Sequence, residues 1–96
     1  MAKPARGRGS GAAVDGRALA VREAADAELA MQTREHARIS RLHAEGIVAQ
    51  GERDRLENLL ANARAARDQA AAQLDQLREG FRIEEIEGAR AEVQRA

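Results

Sequence analysis

His36 and His43 lie seven residues apart, with Glu35 and Glu45 nearby. Imidazole and carboxylate together are the raw material of metal centres and acid–base sites. A spacing of seven puts both rings on one side of a helix but about 10 Å apart along its axis, too far to chelate one ion unaided. The pair therefore reads as solvated surface. Glu84, Glu85 and Glu87 form a second carboxylate cluster. No pocket-forming sequence surrounds them, and negative charge in the first turns of a helix is favoured by its dipole, so they read as helix-start electrostatics. Lys3, Arg6 and Arg8 could meet phosphates, but no aromatic residue accompanies them to stack on bases, and nucleic acid is not an expected partner.

Other chemistry is excluded by composition. The chain has no Cys, which removes thiolate catalysis, disulfides and Cys-ligated metals and leaves the compartment open. No nucleophile with its base and no phosphate-binding loop is visible. The expectation is a non-enzymatic protein with no cofactor, no metal and no small-molecule substrate.

The elements that hold these residues are helical. At 96 residues the chain is at most one domain. Its 44% hydrophobic content is largely Ala, with one Phe, no Trp and no Tyr, so a thick core cannot form. Ala, Arg, Glu, Gln and Leu are strong helix formers, and such a composition with helical periodicity points to a coiled coil. Charged residues make up 33% and cancel to a net charge of zero, which argues against a polyanion as the main partner.

The sequence divides into four pieces. Residues 1–16 are Gly-rich and basic and read as a disordered arm; they lack the apolar region of a signal peptide, and no later stretch is apolar enough to span a bilayer. Residues 17–45 read as a first helix, with a stripe begun by Ala18, Val21 and Ala25 and resumed by Ile39 and Leu42. Leu29 and Met31 do not fall on one line. Arg22 with Asp26 and Arg41 with Glu45 are opposite charges four apart.

Gly46 and Gly51 bracket a turn. Residues 52–79 then carry the clearest pattern: Leu56, Leu60, Ala63, Arg67, Ala70, Leu74, Leu77 and Phe81 alternate spacings of four and three, a heptad seam with Arg67 as its misfit. Arg67 there either sets register or snorkels outward along its alkyl stem. Arg53 with Glu57 and Arg64 with Asp68 are predicted ion pairs. The short connection favours an antiparallel return. Gly80 suits a helix end, so residues 81–96, with Ile83, Ile86 and Val93 on one side, are predicted to form a third helical segment. The predicted fold is all-α: an antiparallel two-helix coiled-coil hairpin over 17–79, tip near 46–51, followed by that segment.

Two motifs on these elements resemble the α-helical hairpin of HlyD-family periplasmic adaptors, the membrane fusion proteins of tripartite efflux and secretion systems. The stretch from about Asp26 to Ala96 carries the likeness. Such adaptors typically show at the tip an Arg, a Leu four residues on, and a Ser seven beyond that; Arg38, Leu42 and Ala49 stand at those positions, and the third departs from the pattern. One branch of the family also ends a helix in Leu-Arg-x-Gly-x-Arg-Pro-Glu-Glu-Ile. LREGFRIEEI matches except that Ile83 replaces Pro.

The resemblance implies a hairpin that projects from an inner-membrane transporter and meets, at its tip, the helical end of an outer-membrane channel of the TolC type. It implies a place on the periplasmic side of the cell envelope, and the hairpin segment alone of a larger adaptor. Arg38 would donate charge-assisted hydrogen bonds to the channel, Leu42 would fill a groove between its helices, and Ala49 would lack the hydrogen bond of the family's Ser. Self-association through the heptad seam is a further expectation. The alternative is a small cytosolic coiled-coil protein, acting in dimerisation or as a DNA-associated accessory.

Overall fold

The computed structural model describes the backbone of residues 6–95 and the side chains of residues 11–95. Two helices account for nearly all of it: α1, Arg6–Ala44, and α2, Gln50–Arg95, run antiparallel in contact as an extended hairpin. The chain's principal extents are 75 × 27 × 14 Å, a rod one helix pair wide.

Heptad spacing on α2 explains how so thin a molecule holds together. Leu56, Leu60, Ala63, Ala70 and Leu74 are all buried, Leu56 and Leu74 almost completely, and Leu77 and Phe81 continue the line half-buried. Each fully buried Leu contributes about 1.5–3 kcal/mol; the Ala positions contribute less but let the helix axes approach. Arg67 is half-buried on the seam and turns its guanidinium to Asp68, Nε to Oδ1 at 2.8 Å, which is outward snorkelling. Arg53 reaches Glu57 at 3.3 Å and Arg22 reaches Asp26 at 3.7 Å as expected, whereas Asp68 takes Arg67 in place of Arg64.

The facing line on α1 differs from its sequence reading. Gly11, Asp15, Ala18, Ala25, Leu29, Gln32, His36, Ile39 and His43 form a buried or half-buried line, again at spacings of three and four once exposed Arg22 is included, and Leu19, Asp26, Glu35, Ser40 and Leu42, also partly buried, lie beside it. Val21 is 56% exposed and Met31 42% exposed, so neither belongs to the stripe. Polar residues occupy the places where a purely apolar search loses the thread. Asp15 stands opposite Arg78 and His36 opposite Glu57, 21 residues apart on each helix, so one register holds for three heptads.

Two boundaries move. Helix α1 begins at Arg6 rather than at residue 17, so the disordered-arm expectation fails from Arg6 onward; Lys3 and the rest of 1–5 lie outside the described residues. Tertiary anchorage outweighs glycine-rich local composition: the Phe81 ring lies over Gly11, where a β-carbon would sit 3.8 Å from Cε1, and Arg78 holds Asp15. There is also no third helix among the described residues. Helix α2 continues unbroken through Gly80 to Arg95. A single helix-interior Gly costs only about 1 kcal/mol relative to Ala, too little to break a helix whose seam neighbours Leu77 and Phe81 stay packed on both sides of it.

Candidate functional site at the hairpin tip

The tip is built by a glycine-terminated helix end. Gly46 adopts φ 78°, the left-handed region that L side chains enter only at a cost. Its N–H donates to the His43 carbonyl at 2.9 Å, and the Ile47 N–H donates to the Leu42 carbonyl at 2.9 Å. That pair of bonds is the Schellman motif, which satisfies carbonyls a helix end leaves open and reverses the chain. Glu45 N–H still follows the helical pattern to the Arg41 carbonyl at 3.1 Å.

Helix α2 starts immediately. The Ala49 carbonyl accepts from the Glu52 N–H at 3.1 Å and the Arg53 N–H at 3.4 Å, which places Ala49 at the N-cap and Glu52 at the third helical position. Those are the two places of a capping box. Ala lacks the side-chain oxygen the N-cap requires, and the Glu52 carboxylate is engaged by Arg55, NH2 to Oε1 at 2.7 Å.

Leu42 and Ala49 therefore flank the same turn, one at each helix end. Leu42 is half-buried and Ala49 exposed. Arg38 lies one helical turn below Leu42, exposed, with its guanidinium paired to Glu35 through both Nε and NH2. The Glu35 carboxyl is held below the usual carboxylate range by this hydrogen bond, and it also feels Arg55 and Glu52 across the hairpin. The Glu52 carboxyl is lowered in the same way by Arg55. Two charge pairs, Glu35–Arg38 on α1 and Glu52–Arg55 on α2, thus flank the tip.

Ile47 is the residue the sequence reading missed. At 65% exposure it is the large hydrophobic side chain at the apex. Its signal is the Gly-Ile pair after the helix, since the residue following the left-handed Gly is commonly apolar.

The histidines separate from their sequence reading too. His36 is half-buried on the seam, with Nε2 3.8 Å from Glu57 Oε1, and His43 is half-buried near the helix end. Neither is plain solvated surface. Among the described residues no three His, Asp or Glu side chains converge as a metal group would need. The Glu84–Glu87 carboxylates are exposed in mid-helix of α2, not at a helix start, because α2 does not restart there.

Fold and tip together define a class: an extended, coiled-coil-like two-helix hairpin whose polar tip ends in an exposed apolar residue. No family model, curated protein or solved structure matches this chain. Among the described residues no helix is long and apolar enough to cross a membrane.

Proposed function

We propose that the protein is a non-enzymatic docking hairpin of the periplasmic adaptor type, linking an inner-membrane transporter to an outer-membrane channel of the TolC type in export across the envelope. The observation that carries this reading is the placement of Arg38, Leu42 and Ala49 around one exposed tip at the end of a 75 Å rod. A rod of that length suits spanning a gap, and a tip with exposed Ile47 at its apex and an exchangeable Arg–Glu pair further down α1 suits end-on contact with a helical partner. Arg38 would exchange Glu35 for a channel carbonyl or carboxylate. Leu42 and Ile47 would enter a groove between channel helices.

The test is binding of the full chain to a purified channel of that type. Arg38→Glu should weaken binding at least about tenfold, the scale of one lost charge-assisted bond, without loss of helicity. No detectable binding, or binding unmoved by Arg38→Glu and Ile47→Asp, would overturn the proposal. Ala49→Ser is a poorer probe than the family pattern suggests, because a Ser hydroxyl at that N-cap would turn inward to the helix.

A second reading, a small coiled-coil dimerisation protein, is favoured by the unbroken passage of α2 through Gly80. The family motif quoted above ends its helix there.

A further inference from the structure

Past the packed seam, α2 carries a second apolar line. Ile83, Ile86 and Val93 are 45%, 42% and 74% exposed, and with Arg90 they follow spacings of three, four and three. Each lies two residues beyond a seam register position, about 200° round the helix, so the line faces away from α1. It belongs to this end of the helix alone. The same register further back is occupied by Glu79, Gln76, Ala72, Gln69, Ala65 and Asn62, all exposed and none of them a large hydrophobic.

We propose that this face is an interface with a second copy of the same chain, the two α2 helices packing parallel over residues 80–95. The proposal stands apart from the tip reading, because it uses the opposite end of the rod. The placement of Arg82 and Glu87 favours both this occupant and this direction. With Ile83 and Ile86 as the a and d positions, Arg82 falls at g and Glu87 at e. In a parallel pair, Arg82 of each chain faces Glu87 of the other, giving two opposite-charge contacts. In an antiparallel pair, Glu87 faces its own counterpart and repels it. Arg90 then occupies a central a position, where in the parallel pair it meets its own counterpart; its long stem lets the guanidinium snorkel outward, and one polar residue at a sets register and a two-stranded state at some cost in stability. Arg82 pairs with Glu79 in the single chain, NH2 to Oε2 at 2.6 Å. Both side chains are more than half exposed, so the exchange leaves no charge buried.

Sedimentation equilibrium of the full chain, with variants, tests the proposal. The expected result is a concentration-dependent dimer that Ile86→Asp weakens at least about tenfold, the scale of one lost buried Ile. Glu87→Arg should weaken it too, and adding Arg82→Glu should restore it. Because the chain has no Cys, Ile86→Cys gives a clean second readout. Under mild oxidation it should form an Ile86→Cys homodisulfide faster than Val21→Cys, which is also exposed but off the stripe. A monomer at every concentration overturns the proposal. So does a dimer indifferent to both Ile86→Asp and Glu87→Arg, or cross-linking no faster at 86 than at 21. Should Ile86→Asp lose helicity, the Glu87 reversal, at an exposed position, carries the same reading.

Discussion

Arg78 on α2 grips Asp15 on α1, Nε to Oδ1 at 2.9 Å and NH2 to Oδ2 at 3.4 Å, across 63 residues of sequence. Asp15 lies in the stretch where sequence predicts disorder, and with Phe81 over Gly11 the pair ties the early turns of α1 to the far end of α2. The hydrogen bond from Arg78 holds the Asp15 carboxyl below its ordinary range, against the opposing effect of desolvation. Both side chains are partly exposed, and such pairs are screened by salt. Asp15→Asn should therefore lower the melting temperature slightly at low ionic strength, and the difference should vanish in high salt. An equal loss in high salt would show that Asp15 acts by packing instead.

Acid should loosen the hairpin. The carboxyls of Asp15, Glu35 and Glu52 are all lowered, chiefly by hydrogen bonds from Arg78, Arg38 and Arg55. A depressed folded pKa contributes stability that is fully present above the unfolded carboxylate range, about 4, and is lost as pH falls through the lower folded value. Thermal melts should show no dependence on these groups between neutral pH and about 5, then decline below about 4. The decline should be shallower in Asp15→Asn. A melting temperature that rises on acidification through this range would contradict the assignment.

The core is thin enough for one side chain to matter. Leu74 is fully buried and Leu56 nearly so, so Leu74→Ala should cost about 2–5 kcal/mol in urea unfolding. Val21→Ala, at a position 56% exposed, should stay within about 0.5 kcal/mol. Equal costs at the two sites would place the seam of α1 elsewhere.

Ala49→Ser should stabilise the hairpin by about 1 kcal/mol, by supplying the missing N-cap oxygen to the first turn of α2. Glu52 is already at the reciprocal position of the capping box, although its carboxylate is engaged by Arg55. Chemical denaturation detects this directly, and a neutral or destabilising outcome would show that α2 starts at a different residue.

Two glycines should respond in opposite directions. Gly46→Ala forces a β-carbon into φ 78° and should destabilise by about 1–2 kcal/mol, although nothing lies within 4 Å to clash. Gly80→Ala also meets open space, but in a helix interior it should stabilise by about 0.5–1 kcal/mol. If α2 ended at Gly80, that substitution would instead be costly, so its sign tests the continuity of the helix.

Much of the fold was legible without coordinates. The turn at Gly46, the antiparallel return and the seam from Leu56 to Phe81 follow from spacing and helix propensity, because large apolar side chains at three and four residue intervals have one way to be buried. The α1 line was not legible in the same way. Asp15, Gln32, His36 and His43 hold seam positions there, and an apolar template passes over polar residues that meet a partner only after the helices pair. Of the candidate site, Arg38, Leu42 and Ala49 are nominated from the sequence by resemblance alone, while Ala49's place at the N-cap and Ile47's exposure are not legible there, since both depend on the path of the turn.

What the amino-acid sequence determined by itself was therefore local: helix, turn, and one face of α2 that must be covered. Tertiary structure decided where the helices stop. Gly80 and the Gly-rich start carry real local preferences for an ending, about 1 kcal/mol for each Gly, and they lose because Leu77 and Phe81 on one helix and Gly11 and Asp15 on the other find each other across the hairpin. Contacts between residues far apart in the chain outweigh a local break that no nearby residue could have overruled.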